Sequence, residues 1–495
     1  MTLQNDPIYS IERIRKCEHL ACEQFHISSH DLMERAGRAV YDFLLHRFPR
    51  VKKIAVCCGG GNNGGDGYVL ARLLHEHGLN VTVWQVGSHN HLPIEAKYAL
   101  DKCKKIGVSI HLFTPATDLQ PSDLIVDALC GIGITQPLRV DMIAMIEKMH
   151  VTALPIVAID IPSGICADTG QVLGRAVQAI ATVTFIGLKM GLLTGAGVAY
   201  AGEIVCDDLQ LPQDLFSQVQ PIAEKIQIKS YQHYLKPRPR DWHKGLSGHV
   251  LVVGGDVGFS GAARMAAEAA LRVGCGLVTV ATRLELATVL NVSCPEIMCQ
   301  GIDDPTQLEP LLMRADVVIL GPGLGQSNWA KSLWESVCRS QLPLVVDADG
   351  LNILAPLHQS RENWILTPHP GEAARLLNQE TRDIQQNRLL AVQTIQKRFG
   401  GVCVLKGAGS LIATPDLLPA VCDKGNPGMA TAGMGDILSG VIGGLLAQNI
   451  PLGDAAKLGV YLHAMAGDLA AKQGERGMLA THLLPYLRRL VNEID

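Results

Sequence analysis

Short apolar runs alternate with longer amphipathic stretches along the first half of the chain. Six of these runs predict buried strands: KIAVCC (53–58), VTVWQVG (81–87), VSIHLF (108–113), LIVDAL (124–129), IVAIDI (156–161) and TVTFIG (182–187). Residues 65–77 and 140–149, which lie between them, have helical spacing. The order of strand, helix and strand predicts parallel pairing, and hence an α/β fold.

The same rhythm restarts in the second half. Its predicted strands are HVLVVGG (249–255), LVTVAT (277–282), DVVILGPG (316–323), PLVVDADG (343–350), WILTPHPG (364–371) and VCVLKGAG (402–409). The intervening segment 229–245 has no period, and Pro237 and Pro239 interrupt it. We therefore predict two doubly wound α/β domains, 1–225 and 226–495, whose motifs differ.

Charge and composition exclude several classes of function. With 43 Lys+Arg against 47 Asp+Glu, the net charge of −4 does not favour nucleic acid or an anionic membrane as a partner. The first 30 residues contain no continuous apolar run for a signal peptide, and no later stretch predicts a membrane span. The 14 cysteines form no C-x-x-C pair, which argues against a zinc site and for a reducing compartment. We expect a soluble, cytoplasmic protein.

The densest motif of the first half is GGGNNGGDG (59–67), which follows a strand and opens a helix. Its glycines let backbone N–H groups approach a phosphate at the helix N-terminus. It contains G-x-G-x-x-G through Gly59, Gly61 and Gly64, but the next strand lacks the terminal acidic residue that a dinucleotide ribose requires. The alternative is a tight strand-to-helix turn that binds no ligand.

Polar side chains gather at predicted strand ends in this half: Asn63, Asp127, Asp160 and Ser163. Such positions face the ligand crevice of a parallel sheet, although a single Asp there is more often a helix cap or turn residue. Together they offer only oxygen ligands and one possible base, which suits a large monovalent cation better than zinc.

The strongest cluster of the second half is GNPGMATAGMGDILSG (425–440). Backbone N–H groups of Gly433 to Gly435 can form an anion hole for a phosphate while Asp436 accepts a proton from a substrate hydroxyl. The alternative is an ordinary Asp in the first turn of a helix. A P-loop is excluded because the sequence contains no Gly-Lys dipeptide.

The first half resembles the NAD(P)H-hydrate epimerase family over about residues 10–225, through GNNGGDG, VDALCGIG, DIPSG with ADTG, and TFIGLKMGLLTG. The resemblance implies a Rossmann-like three-layer sandwich in which Asp160 is the acid/base residue that contacts the hydrate. Potassium ligands implied by it are Asn63, Asp127 and Ser163. The implied hydrate-binding and phosphate-wrapping residues are Asn62, Asn63, Gly64, Gly65 and Asp66, followed by Gly131, Ile132, Gly133, Ile134, Thr135, Gln136 and Pro137.

The second half resembles the ribokinase-like fold, and most closely the NAD(P)H-hydrate dehydratase family, over about residues 230–495. The likeness rests on GPGLG (321–325), VDADGLN (346–352), TPHPGE (367–372) and KGAGS (406–410). It implies that the hydrate is contacted by Ala262, Gly323, His369 and Asp436, the last as the catalytic base. It implies that an adenine nucleotide, ADP with Mg²⁺, is held by Lys406, Gly407, Ala408, Gly409, Ser410 and Gly435. His369, flanked by prolines, could instead be held in a rigid turn against the sheet.

Together the two resemblances predict a repair enzyme for hydrated NADH and NADPH that first epimerises the hydrate and then dehydrates it with ADP. We expect a homo-oligomer. Two alternatives remain open: a ribokinase-like small-molecule kinase fused to a nucleotide-binding domain, and a binding protein without turnover.

Overall fold

The buried apolar runs form strands in two separate units of the chain. The computed structural model describes residues 7–87, 91–357 and 359–493, and the division between its two units falls between Glu224 and Lys225. Each unit contains a mainly parallel sheet with helices, so the predicted α/β class is confirmed. Throughout the described part of the chain, every helix is too short or too polar to cross a membrane.

The first unit contains all six strands predicted for it and three further short ones. Its strands are β1 (Pro7–Ile8), β2 (Lys53–Cys58), β3 (Asn80–Gln85), β4 (Ser109–Leu112), β5 (Leu124–Ala128), β6 (Ile156–Ile159), β7 (Ala181–Phe185), β8 (Glu203–Asp207) and, at the boundary, β9 (Ala223–Lys225). Its helices are α1 (Ile11–Phe25), α2 (Ser29–Arg47), α3 (Asn62–Glu76), α4 (Ile94–Lys105), α5 (Val140–Val151), α6 (Met190–Leu193), α7 (Val198–Ala201) and α8 (Gln213–Phe216).

Seven strands of this unit form one parallel sheet in the order β4-β3-β2-β5-β6-β7-β8. Strands β3 and β4 lie on one side of β2, and the later strands, from β5 to β8, lie on the other side. The sheet therefore has its topological switch point between β2 and β5, where ligands bind in folds of this kind. Every residue of β5 and β7 is buried, as expected for central parallel strands.

Helix α3 begins earlier than its apolar spacing predicts, at Asn62 rather than at residue 65. The extended residue Gly61 is its N-cap and provides no side-chain hydrogen bond. Gly64 lies against the backbone carbonyl of Gly59, where a Cβ atom would collide. Close packing of glycine backbones thus allows the helix to start directly at the end of β2.

The second unit also contains a parallel sheet with helices, but one edge of its sheet is antiparallel. Its strands are β10 (His249–Val253), β11 (Leu277–Thr282), β12 (Met298–Gly301), β13 (Val317–Leu320), β14 (Leu344–Val346), β15 (Trp364–Leu366), β16 (Val402–Leu405), β17 (Ser410–Ala413) and β18 (Ala420–Cys422). Its helices are α9 (Ser260–Arg272), α10 (Glu309–Leu312), α11 (Asn328–Arg339), α12 (Asp349–Leu354), α13 (Pro370–Leu377), α14 (Thr381–Gln386), α15 (Arg388–Phe399), α16 (Met434–Leu446), α17 (Leu452–Ala471) and α18 (Leu484–Leu490).

These strands run in the order β12-β11-β10-β13-β14-β15-β16-β17-β18. Pairing is parallel from β12 to β16, with a switch point between β10 and β13, and antiparallel from β16 to β18. The pattern of the sequence did not predict the antiparallel pair, because β17 and β18 are short and follow turns without helices between them.

Close packing of α16 against α9 fixes the helix that carries Asp436. A Cβ atom added at Gly440 would lie 2.7 Å from the Ala269 Cβ and collide with the Ala266 carbonyl, and Gly444 similarly contacts Ala270. Because residues i and i+4 share a helix face, Gly440 lies one turn along the same face as Asp436. The glycines therefore set how deeply the start of α16 sits in the unit.

We expect Gly440→Ala to lower the free energy of unfolding by about 1–3 kcal/mol through overpacking. The control is Gly261→Ala on α9, where an added Cβ meets nothing within 4 Å, and which should leave stability unchanged or raise it by up to about 1 kcal/mol. Urea unfolding followed by tryptophan fluorescence measures both, because Trp329, Trp334 and Trp364 are buried in this unit. Equal stabilities of the two variants would contradict the packing argument.

Candidate active sites

A cleft of about 560 Å³ opens at the switch point of the first unit. It lies where β2, β5, β6 and β7 end, and residues of α1, α2, α4 and α5 also contribute to its wall. Its predicted members are Asn62, Asn63, Asp66, Gly131, Ile132, Gly133, Ile134 and Asp160. Residues that the sequence did not single out also line it, among them Arg15, Glu18, Arg139 and Lys189.

The amino terminus of α3 faces this cleft through Gly61, Asn62 and Asn63. The first N–H groups of a helix have no partner within the helix, and here no side chain caps them. Those free donors and the helix dipole favour an anion such as a phosphate at this end of the cleft.

Asp160 is held in a strained and tightly bonded conformation just after β6. Its φ of 65° lies in the left-handed region, which is unusual for a residue other than glycine. Its Oδ1 accepts hydrogen bonds from the Lys189 Nζ at 2.7 Å and the Thr184 Oγ1 at 3.2 Å. Among the described residues, its Oδ2 has no partner, so one carboxylate oxygen remains available to a ligand.

Two further carboxyl groups in the cleft have perturbed protonation. Burial, followed by the neighbouring charges of Asp160 and Glu18, raises the pKa of Asp66 well above its usual value. Burial and Asp160 likewise raise the pKa of Glu18. The Asp66 carboxyl has no hydrogen-bond partner in the described ranges, which distinguishes it from the ion-paired Asp160.

Of the three predicted potassium ligands, Asp127 and Ser163 are in direct contact. Asp127 is fully buried and accepts hydrogen bonds from the Ser163 Oγ at 2.6 Å and the Ser163 N–H at 2.8 Å. Burial raises the pKa of Asp127 to about 6 despite these bonds. Asn63 is 7% exposed, and neither of its side-chain atoms has a hydrogen-bond partner among the described residues. The donor set is thus oxygen-rich and contains an unsatisfied buried amide.

Several predicted residues do not line the cleft. Gly64 and Gly65 lie inside the first turn of α3, where Gly65 packs against Met33. Thr135, Gln136 and Pro137 are exposed beyond the part of the loop that does line it. These five residues remain predictions as contacts of the substrate.

In the second unit, the amino terminus of α16 meets the ends of β14 and β16. Its N-cap, Gly433, has φ of 88° and gives no side-chain cap, so the first N–H groups of this helix are also free. Burial, with Asp347 and Asp349 nearby, raises the pKa of Asp436 to about 6. The Asp436 carboxyl has no hydrogen-bond partner in the described part of the chain, and at pH 7 it is largely ionised and free to accept a proton.

An ion pair lies next to the N-terminus of α16. The Lys406 Nζ donates to the Asp347 Oδ1 at 2.7 Å, and the Ser439 Oγ donates to the Asp347 Oδ2 at 2.6 Å. Burial alone would raise the pKa of Asp347, but the Lys406 ammonium and these hydrogen bonds lower it. A Cβ atom added to Gly435 would lie 3.2 Å from the Lys406 Nζ. Lys406 and Gly435, both predicted to hold the nucleotide, are therefore neighbours.

His369 is the N-cap residue of α13 and lies near Lys406. Its Nδ1 accepts the Gly371 N–H at 3.0 Å, which leaves Nε2 protonated and 3.3 Å from the Glu372 Oε1. Burial, followed by Lys406, lowers the pKa of His369, while burial raises the pKa of Glu372 to about 7. The imidazole is half exposed, so it is available to a ligand and also has the capping role of the alternative interpretation.

The remaining predicted residues lie in turns or at the starts of α9 and β17. Gly323 has φ of 61° and lies against the Phe259 carbonyl, which also accepts the Ala262 N–H at 3.2 Å. Gly407, Ala408 and Gly409 form the turn between β16 and β17, and Ser410 opens β17 and donates through Oγ to the Gly407 carbonyl at 3.1 Å. Gly323 and Ala262 are thus adjacent, whereas Gly407 to Ser410 extend from Lys406.

Sequence reasoning missed three buried charges: Lys189, Asp347 and Glu372. Each lies inside a motif already singled out, namely TFIGLKMGLLTG, VDADGLN or TPHPGE. A charged residue in an otherwise apolar or glycine-rich run is itself a signal, because an ion is seldom buried without a partner.

Comparison with known proteins finds a family profile in each unit. The profile described as YjeF-related protein N-terminus matches residues 29–191, and the profile described as NAD(P)H-hydrate dehydratase matches residues 250–489. The solved structure of the hypothetic protein SMU.573 from Streptococcus mutans is 31% identical with a TM-score of 0.50, covering 54% of this chain and 100% of that one.

Two full-length relatives carry the name bifunctional NAD(P)H-hydrate repair enzyme Nnr. The Coxiella burnetii protein is 49% identical over 486 residues, which is 98% of this chain and 99% of that protein. The Escherichia coli protein is 43% identical over 487 residues, which is 98% of this chain and 94% of that protein. Since these identities extend across both units and both candidate sites, the chain belongs to the family of bifunctional NAD(P)H-hydrate repair enzymes.

Proposed function

We propose that the chain restores hydrated NADH and NADPH in two steps, epimerisation of the hydrate in the first unit and ADP-dependent dehydration of its S form in the second. The observation that carries the proposal is that each unit places an aspartate beside an uncapped helix N-terminus, Asp160 near α3 and Asp436 on α16. A phosphorylated substrate that must exchange protons needs this combination of anion site and base.

Epimerisation requires the bond between the ring carbon and its hydroxyl oxygen to break and to re-form on the opposite face. The leaving oxygen takes up a proton, and the attacking water gives one up. Asp66, with its raised pKa, can donate the first proton, and the ion-paired Asp160 can accept the second. In the reverse direction the two groups exchange roles, so the protons balance.

Potassium fits the buried oxygen cluster of the first unit. Asn63, Asp127 and Ser163 would hold it, because among the described residues the Asn63 amide is unsatisfied and the buried Asp127 has no cationic partner to compensate its charge. When bound, the cation would order the ends of β2 and β5 and screen phosphate charge. The proton transfers belong to the carboxyl groups described above.

We predict faster epimerisation in potassium than in sodium, and loss of that difference in Asn63→Leu. Leucine has a similar volume but supplies no oxygen ligand. Asn80→Leu, at an exposed position outside the cleft, should respond to potassium like the wild type. The measurement is the interconversion rate of the two epimers, resolved by chromatography, together with the melting temperature in each salt.

Wild-type rates that are equal in sodium and potassium, with no potassium-dependent rise in melting temperature, would remove the cation from the proposal. A variant Asn63→Leu that kept the full potassium response would show that the ion binds elsewhere.

Dehydration uses the second unit. Transfer of a phosphoryl group from ADP to the ring hydroxyl converts a poor leaving group into a good one, and elimination then restores the double bond. Asp436 would accept the hydroxyl proton, while the first N–H groups of α16 hold the phosphate being transferred. Lys406 and its turn, with Gly435, would bind the nucleotide, and His369 would contact the hydrate.

Magnesium would arrive with the nucleotide, because Mg²⁺ is commonly held by substrate phosphates and only one or two carboxylates. The charges of Asp347 and Asp349 act on Asp436. Because the described residues contain no group of three side chains placed to hold a metal ion, the nucleotide phosphates would supply most of the ligands to Mg²⁺.

We expect Asp436→Asn to lower the dehydration rate by at least about 100-fold, since a positioned base contributes roughly 10²–10⁴-fold. Epimerisation should be unaffected, because each unit has its own hydrophobic core. Asp416→Asn, on an exposed turn, is the matched control and should dehydrate at the wild-type rate. Recovery of NADH absorbance with ADP measures the second reaction, and near-wild-type turnover by Asp436→Asn would refute the assigned base.

A further inference from the structure

Lys189 is buried next to Asp160, and its ammonium donates all three of its protons to hydrogen bonds. It is 1% exposed, and its ammonium donates to the Asp160 Oδ1 at 2.7 Å, the Thr184 Oγ1 at 2.7 Å and the Phe185 carbonyl at 2.8 Å. An ammonium has three protons, so none remains for a substrate. Any contribution of Lys189 to the reaction must therefore pass through Asp160.

The backbone around Lys189 is anchored on both sides. Leu188, the preceding residue, donates its N–H to the Pro7 carbonyl at 3.2 Å and accepts the Tyr9 N–H at 2.9 Å, which ties the segment to β1. Ile186 has φ of 69°, a costly conformation for a β-branched residue. Strained backbone thus occurs both at Asp160, a member of the ion pair, and at Ile186, three residues before Lys189.

Burying such a pair is costly unless its geometry is well satisfied, and removing one partner leaves an uncompensated charge. The ion pair also makes the two carboxylate oxygens of Asp160 differ in their hydrogen bonding. Oδ1 is fixed by Lys189 and Thr184, whereas Oδ2 has no partner among the described residues and belongs to a residue that lines the cleft.

We propose that Lys189 is a positioning residue of the epimerase site, which holds Asp160 oriented so that one carboxylate oxygen faces the substrate. The inference rests on the proposed epimerase activity of the first unit. Thr184 supports it by donating a second hydrogen bond to Oδ1 and by accepting one from the ammonium. Lys189 forms part of the cleft wall, but its ammonium has no proton left to donate to the hydrate.

The test compares Lys189→Met, which keeps the length of the side chain but removes its charge, with Lys97→Met. Lys97 is exposed on α4 and does not line the cleft. Without ADP the dehydratase does not turn over, so chromatographic interconversion of the epimers reports the first unit alone. Substrate saturation curves then separate kcat from KM.

The expected result is a fall in epimerase kcat of at least about 100-fold in Lys189→Met, the loss that a misplaced or unavailable base produces, with KM changed by less than about threefold. Lys97→Met should match the wild type. A kcat within about twofold of the wild type, or a loss confined to KM, would overturn the inference.

Lys189→Met leaves the charge of Asp160 uncompensated. If its melting temperature falls for that reason, Thr184→Val provides a second test of the same role. This variant retains the charge pair but removes one of the two donors to Oδ1, so its kcat should fall by less than in Lys189→Met, again without a matching change in KM. Wild-type kcat in Thr184→Val would contradict the positioning role. Absence of interconversion by the wild type would instead refute the proposed function itself.

Discussion

The uncapped amino termini of α3 and α16 are the constraint on which both candidate sites depend. Each helix starts at a glycine N-cap, Gly61 or Gly433, and each therefore leaves its first N–H groups without a side-chain partner. Such groups must be satisfied by solvent or by a ligand, and the helix dipole favours a negative ligand. The parallel sheets bring these helix ends to the edge where the polar side chains at strand ends also gather.

Close backbone packing makes these helix positions possible. Gly64 allows α3 to start immediately after β2, and Gly440 allows α16 to approach α9. A larger side chain at either position would displace the helix start relative to its strand end. The glycine content of both motifs thus reflects packing as much as the approach of a phosphate.

The two sites use ion-paired lysines in different ways. In the first unit, Lys189 pairs with the aspartate that lines the cleft, so the base itself is held by an ion pair. In the second unit, Lys406 pairs with Asp347 and leaves Asp436 without a direct partner, with its pKa raised to about 6. Asp160 is thus held by an ion pair, whereas burial raises the pKa of Asp436, whose carboxyl has no ion-pair partner among the described residues.

Much of this arrangement could be predicted from the sequence, since apolar runs that end in glycine or aspartate identify both strands and the ligand edge of a parallel sheet. The start of α3 at Asn62 could not, because glycine and asparagine have low intrinsic helix propensity and tertiary packing overrides it. Nor could the pairing of Lys189 with Asp160, since these residues lie far apart in sequence and meet only through the order of β6 and β7.

The central claim is that one chain joins two activities so that neither epimer is left behind. The most direct measurement is the end point of NADH recovery when purified protein and excess ADP are given a mixture of R and S hydrates. We expect complete recovery by the wild type, and recovery limited to the initial S fraction by Asp160→Asn. Wild-type recovery that stopped at the S fraction, when non-enzymatic epimerisation is slow, would contradict it.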